Sequence, residues 1–465
     1  MVNFDDVRVV LPPERLPTHW LNLLPDLPAK LPPLLNPQDL KPAPFEMVTR
    51  IFPTECVKQE VSQDPKIEIP ADLRKILVAL GRPTPLQRAY GFENLIGVKG
   101  DDVRIYYKCE YVSPTGSHKL NTAVVQAYYA KKEGFKELVT ETGAGQWGSA
   151  LSLGCRMNGL KCTVYMARGS YQQKPGRRIL METYGSTVYP SPSDKTDVGR
   201  KFYEKDPNHP GSLGIAISEA LEHTLRDPSI RYSLGSVVNF VLLHQTVIGL
   251  EAKEQLASLG LYPDVVIGSI GGGSNFYGCA AAFLRDKLTG EHPETDVVGV
   301  EPRACPSITK GVYAWDYGDA VGAGPVAKMH TLGHTFVPHP IHAGGLRYHG
   351  AAPIVCLLAN EGALRTTMHH QTEVIQAGVE WARGEGLVPA PETCHAVAEA
   401  KAQALQAKER GEKKVILFNF SGHGFFDLMA YEQYLAGKLE DYEYPDHEIQ
   451  EALTHLPKVD ESQFS

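Results

Sequence analysis

The chain has 465 residues, 43% hydrophobic and 22% charged, an ordinary balance for a globular protein with sizeable cores and room for two or three domains. A net charge of −8 without a long basic run excludes nucleic acid as the main partner, because phosphate backbones demand clustered Lys and Arg. No apolar run is long enough to cross a bilayer, so no membrane role is expected. The start, Met1-Val-Asn-Phe-Asp-Asp6, lacks the basic-then-apolar order of a secretory leader, and the eight cysteines form no Cys-x-x-Cys pair. A reducing, cytoplasmic setting is the expectation.

Residues 11–44 carry ten prolines, from Pro12 to Pro44, and cannot form a regular helix. Trp20 and several leucines are interleaved and demand burial, so this stretch is expected to drape as an extended arm over the body. From about residue 80, strands and helices alternate. Arg104-Ile-Tyr-Tyr-Lys-Cys109 reads as a strand. Leu120, Ala123, Val124, Ala127 and Tyr128 keep helical spacing. Glu137-Leu-Val-Thr-Glu141 is a short strand running into a glycine loop and a helix through Arg156. Further strands are read at Lys161–Met166, Asp264–Ile270, Asp296–Glu301 and Lys414–Phe420. Continuous apolar strands between helices imply parallel sheets buried on both faces. The fold class is therefore α/β, with two three-layer domains and mostly parallel sheets behind an extended N-terminal arm. The expected divisions are an arm at 1–78, a first domain at 79–250, a second at 251–440 and a tail at 441–465.

Three runs carry chemistry. Lys119 lies in Ser113-Pro-Thr-Gly-Ser-His-Lys-Leu-Asn121, just after a compact turn and at the mouth of a predicted helix. Alone, such a lysine is a solvated surface residue. Beside apolar Leu120 and Val124, it fits a partly buried amine kept neutral and nucleophilic. His118 reads equally as a phosphate contact or as a turn histidine bonded to backbone. Gly271-Gly-Gly-Ser-Asn275 follows a buried strand and opens a helix, where backbone N–H groups converge on an oxyanion and Ser274 and Asn275 add donors. Three successive glycines are entropically costly for a turn alone.

Thr142-Gly-Ala-Gly-Gln-Trp-Gly148 formally matches a dinucleotide fingerprint. The next strand, however, ends in Ala167-Arg168-Gly169, with no acidic residue to grip a ribose. The loop is read instead as a carboxylate or phosphate cradle, with Glu141 pointing into the same cleft as a proton carrier or a partner for a substrate N–H. A reactive lysine with two strand-to-helix anion cradles is the equipment of a pyridoxal phosphate enzyme. Ser421 closes the last strand. A serine beside the pyridine nitrogen leaves that nitrogen unprotonated, which suits β-elimination and β-replacement better than transamination. His330, His334, His339 and His342 form a histidine-rich loop broken by Gly333 and Pro338, and no metal site is expected there.

Together, Thr115-Gly-Ser-His-Lys-Leu-Asn121, Glu141-Thr-Gly-Ala-Gly-Gln146, Gly271-Gly-Gly-Ser-Asn275, Gly299-Val-Glu-Pro302 and Phe420-Ser-Gly-His-Gly424 resemble the tryptophan synthase β chain over roughly residues 80–430. The resemblance implies a fold-type II pyridoxal phosphate enzyme, a homodimer, with a mobile lid in the first domain. It makes Lys119 the Schiff-base lysine and the carrier of the serine α-proton. Gly271, Gly272, Gly273, Ser274, Asn275 and His118 would bind the phosphate. Thr142, Gly143, Ala144, Gly145 and Gln146 would hold the substrate carboxylate. Glu141 would assist loss of the serine hydroxyl and orient indole, Ser421 would face the pyridine nitrogen, and Glu392 would line the ring. The implied reaction joins L-serine and indole into L-tryptophan. A monovalent cation is common in the family, on backbone carbonyls that a sequence does not reveal.

The departures from that pattern are informative. Trp147 stands where ordinary β chains have histidine, and Arg347, in Gly345-Leu-Arg-Tyr-His-Gly350, where they have aspartate. With the longer arm, these features resemble a divergent second branch whose members often act without an α chain. Arg347 would contact an anion in the cleft, which leaves serine and O-phosphoserine both open as donors. A serine or threonine dehydratase is the rival enzyme, and a binding protein that lost its chemistry is the rival outside catalysis.

Overall fold

The apolar strands sort into two sheets. In the smaller, Thr187–Ser191, Lys161–Ala167, Glu137–Thr142 and Ile230–Tyr232 lie in that spatial order, all parallel. The larger runs Arg8–Val9, Leu86–Arg88, Val103–Cys109, Lys414–Phe420, Val265–Ser269, Asp296–Pro302, Arg365–His369. Its last five strands are parallel and its first two pair antiparallel. This computed structural model describes residues 6–464 apart from 99, 320 and 323, so the first five residues of the arm lie outside the described residues.

Both faces of each sheet are covered, and this explains why the strands read as unbroken apolar runs. Along Lys414–Phe420, Ile416 and Phe418 point into one core with Trp381 and Val397, while Leu417 points into another with Val266 and Phe283. In the smaller sheet, Leu138 and Val164 pack under the helices Leu120–Lys132 and Gln146–Asn158, while Val139 and Tyr165 face the helix Leu213–Arg226. Residues 79–250 feed both sheets. Val103–Cys109 pairs with Lys414–Phe420, and the smaller sheet is built from residues 137–232 alone.

The arm is more structured than an extended drape. The proline-rich part makes tight turns at Pro13–Arg15 and Leu24–Asp26 and buries Trp20 to 1% exposure. Three helices follow, Phe45–Ile51, Thr54–Val61 and Ala71–Ala79, each immediately preceded by a proline (Pro44, Pro53, Pro70). Proline suits the position before a first turn, where a backbone N–H would find no helical partner.

A buried ionic network ties the sheets together next to the lysine. The Arg82 guanidinium donates to Glu110 (2.9 Å), Glu251 (2.9 Å) and the Asn121 amide oxygen (2.7 Å). Lys108 adds an ion pair to Glu251 at 2.8 Å. Asn121 lies two residues beyond Lys119, so the helix that carries the lysine is fixed to the large sheet. In the histidine-rich segment, His334, His339 and His342 lie in the loop expected, but His330 does not. Val312–Tyr317 and Val326–Thr331 form an antiparallel hairpin, and His330 sits on its second strand opposite Tyr313. The alternating Val326, Lys328 and His330 carry strand periodicity that the nearby Gly333 and Pro338 obscure. Among the described residues, no group of three His, Cys, Asp or Glu could hold a metal, and no helix is long and apolar enough to cross a membrane.

Candidate active site

Lys119 immediately precedes the helix Leu120–Lys132, at the floor of a cleft between the two sheets. Its turn is stitched to the end of the last strand: His118 N donates to Ser421 O at 2.9 Å, and Ser117 pairs with Gly422. The Lys119 Nζ donates to Gly235 O at 2.8 Å. Burial lowers the lysine to about 8, while the negative charges of Glu141 and Glu392 act in the opposite direction. The amine is thus far closer to neutrality at physiological pH than a surface lysine. Trp147 packs directly against Gly235, where any Cβ would come within 2.5 Å of the indole ring. Its Nε1 donates to Thr140 Oγ1 at 2.7 Å. The unusual tryptophan therefore braces the carbonyl that holds the lysine.

The first glycine cradle forms at the start of the helix Ser274–Thr289. Gly273, with φ +100°, makes the turn, and a Cβ on Gly272 would lie 2.3 Å from Ser236 Oγ. His118 Nε2 lies 3.3 Å from Ser274 Oγ, and burial pushes the imidazole down to about 3, so it is neutral. Asn275 spends its side-chain amide on Ser269 O and Oγ, both at 2.8 Å, and its Oδ1 accepts from Asn419 (2.7 Å). What Asn275 offers a ligand is its backbone N–H.

The second cradle opens the helix Gln146–Asn158. Gly145 has φ +97° and lies against Arg177, whose Cβ would sit 2.7 Å from a Cβ on the glycine. Thr142, Gly143, Ala144 and Gln146 all line the cleft. Glu392 bridges the two sides: it accepts from Gln146 Nε2 (3.1 Å) and from Gly345 N (2.8 Å). Burial, and then the nearby Asp427, raise its pKa. Ser421 Oγ lies 2.8 Å from Thr393 Oγ1.

Glu141 also lines the cleft, 4% exposed. Burial raises its carboxyl to about 7, partly offset by a hydrogen bond from the Tyr232 phenol to Oε2 and by the Lys119 charge. The rest of the lining is mostly apolar, with Ile51, Phe52, Ile217 and Leu221 among it, although Glu60 and Asp319 also reach the cavity. A carboxyl that titrates near neutrality beside an amine of lowered pKa can exchange protons with a bound substrate in either direction.

The structure thus gathers Lys119, Glu141 and the loops 142–146 and 271–275 around one cleft, with His118, Glu392 and Ser421 immediately behind. Arg347 stands apart from the cleft lining. Its guanidinium donates to Pro338 O at 2.9 Å, in the segment leading up to the turn Gly344–Leu346. Sequence reasoning missed Tyr232, Gly235 and Ser236. The small-residue run Ser233-Leu-Gly-Ser236 after an apolar strand was the available signal. It also missed Asp427, which pairs with Lys174 (2.5 Å) and Arg177 (3.3 Å) on the loop-and-helix segment above the second cradle.

A family model described as pyridoxal-phosphate dependent enzyme matches residues 78–422. The tryptophan synthase beta chain 2 of Pyrococcus abyssi is 57% identical over 437 residues, covering 94% of this chain and 98% of that protein. That of Aquifex aeolicus is 56% identical over 436 residues, 93% of this chain and 100% of its own. Among solved structures, an L-serine ammonia-lyase from the fungus Rhizomucor miehei aligns over 77% of this chain and 99% of its own, with TM-score 0.57 and 14% identity. Maize serine racemase aligns over 76% and 92%, with TM-score 0.53 and 16% identity. At such identities the structural likeness concerns the fold alone.

Proposed function

The chain belongs to the tryptophan synthase β family of pyridoxal-phosphate-dependent enzymes, and from that premise we propose that its cleft makes L-tryptophan by replacing the β-hydroxyl of L-serine with carbon 3 of indole. The Cβ–O bond breaks, water leaves, and a Cβ–C bond forms. The observation that carries this reading is the Glu141 carboxyl, poised at about 7 in a cavity whose lining is mostly apolar. A dehydratase needs no such apolar space beyond the reacting serine. An acceptor with a flat apolar ring and one N–H needs both the space and the carboxylate.

The residues present fit pyridoxal phosphate. The cradle at 271–273 is one that a Cβ would fill, and the neighbouring Ser236 Oγ is buried without a hydrogen-bond partner. Gly271 to Asn275, with His118 behind Ser274, would hold the phosphate, and Ser421 would face the ring nitrogen without charging it. Glu392 would stand beside the ring, joined to the carboxylate cradle through Gln146. When bound, the cofactor withdraws electrons from the substrate and so acidifies the hydrogen on its α-carbon.

The chain's own groups do the rest. The Lys119 amine takes the α-proton at Nζ, a role its lowered pKa allows. Thr142 to Gln146 orient the serine carboxylate through backbone donors at a helix start. Glu141 delivers a proton to the departing hydroxyl and then, as carboxylate, accepts the indole N–H and turns carbon 3 toward the substrate. Arg347 orders the segment 338–347, through which it would act on closure of the cleft. The same reading divides the chain into an arm (1–78), a lysine-bearing domain (79–250), a phosphate-binding domain (251–440) and a tail (441–465). A homodimer is supported by exposed Phe425, Leu428 and Met429 on and beside the helix Leu428–Leu435, and a reducing cytoplasm by eight buried free thiols.

The test is tryptophan formation by purified, cofactor-loaded protein from L-serine and indole, compared with Lys119→Ala and Glu141→Ala. Both variants should lose tryptophan synthesis by several orders of magnitude. Wild-type synthesis in Glu141→Ala would remove that residue from the reaction.

A further inference from the structure

The N-terminal arm is left without a task by the chemistry above, yet it reaches the cleft. Leu34, Ile51 and Phe52 line the same cavity as Lys119 and Glu141. The segments that carry them are anchored. Leu35 pairs with Val326 through two backbone hydrogen bonds (2.8 and 2.9 Å), and Ala43 N donates to Leu34 O at 2.8 Å, which fixes the backbone at Leu34 beside the hairpin. The Glu133 carboxylate accepts from Thr54 N (2.7 Å) and Glu55 N (2.8 Å) and so pins the start of the helix Thr54–Val61. Glu60 of that helix accepts from Phe240 N at 2.9 Å. Phe52, between the two arm helices, packs its ring 5.6 Å from Tyr232 and 5.4 Å from Phe240.

These contacts set a sequence of groups: Glu141, the Tyr232 phenol bonded to it, and the Phe52 ring packed at a tilt against Tyr232. A flat acceptor whose N–H met Glu141 would lie along Tyr232 and extend toward the arm. We propose that the arm decides which acceptors the cavity takes, with Leu34, Ile51 and Phe52 forming the end wall against which the far ring of a bicyclic heteroaromatic stops. This rests on reading the cleft as a site for an indole acceptor. A packed apolar wall discriminates by size, since one methylene more or less changes specificity by about ten- to two-hundred-fold. Leu34 is only half-buried and lies outside the main core, so it can be changed with little effect on folding.

The experiment uses the cofactor-loaded full chain and compares indole with a ring-extended benzoindole, by kcat/KM with L-serine and by calorimetric binding of each acceptor to cofactor-free protein. Leu34→Ala and Phe52→Ala should raise the benzoindole-to-indole ratio about ten-fold or more in both measurements. Leu34→Trp should weaken indole binding by a similar factor. Ratios and affinities that match the wild type in folded Leu34 variants of both kinds would overturn the proposal. If Phe52→Ala fails to fold, the Leu34 pair decides. A wild type that joins neither acceptor to serine, giving neither tryptophan nor its ring-extended analogue, would instead overturn the acceptor reading of the cleft.

Discussion

Replacing Tyr232 by phenylalanine removes one hydroxyl and tests how the catalytic carboxyl is tuned. The phenol is buried and its partner is Glu141 Oε2. A hydrogen bond to a charged group contributes about 1.5–3 kcal/mol, and its loss falls on the ionised form of Glu141 alone. At about 1.4 kcal/mol per unit, the Glu141 pKa should climb by about one to two units. It starts from about 7, where burial has already placed it. At pH 7 the ionised share would then drop about five- to fifty-fold, and with it the step in which the carboxylate accepts the indole N–H. The assay is kcat/KM for indole across pH 6 to 10 at saturating serine (a range of roughly two units either side of the expected transition). The acidic limb should move to higher pH in Tyr232→Phe, and activity should recover in alkaline buffer. A merely structural tyrosine would lower the whole profile without moving it. An unshifted limb in a folded variant refutes the reasoning.

Three further outcomes follow from the same geometry. Arg82→Met leaves Glu110 and Glu251 buried with one fewer cation between them, and should destabilise the protein by about 3–5 kcal/mol, read by denaturant unfolding. His369 is raised to about 9, against the burial that would lower it, by hydrogen bonds to Glu373 and Glu399. Its stabilisation is complete below its ordinary pKa near 6.5 and is lost as pH rises through about 9, so stability should decline over that window by about 2 kcal/mol more in wild type than in His369→Gln. Trp147→Ala opens a cavity against Gly235 and should cost about 3–5 kcal/mol, while loosening the carbonyl that holds Lys119, so kcat should fall together with the melting temperature.

The parts of this protein legible in the sequence are those whose signals are local. Gly145 and Gly273 adopt the left-handed turns that open their helices, and each sits in a glycine run directly after an apolar strand. Lys414–Phe420 was readable residue for residue because seven apolar-rich positions between polar ends admit little else. Which sheet a strand enters is not local. Val103–Cys109 and Glu137–Thr142 look alike along the chain, yet the first crosses to pair with residues more than three hundred positions away. Leu86–Arg88 and Ile230–Tyr232 are three residues long, too short to show any period, and exist because neighbouring strands offer them partners. Tyr232 was invisible for that reason. The chemistry of the lysine, the carboxylate and the two cradles is legible from residue types and spacing, and the family resemblance narrows it to one reaction. Asn275 shows the limit of such reading, because a residue in the right motif spends its side chain on holding two strands and a helix together.

The central claim is that a carbon acceptor, rather than water, completes the reaction in this cleft. It is tested most directly by the partition between products when cofactor-loaded protein consumes L-serine as indole is titrated, with no other protein present. The account predicts that tryptophan rises and pyruvate falls in step, until nearly every serine consumed appears as tryptophan. Pyruvate formed at an unchanged rate at all indole concentrations, with no tryptophan, would contradict it and identify the chain as a dehydratase.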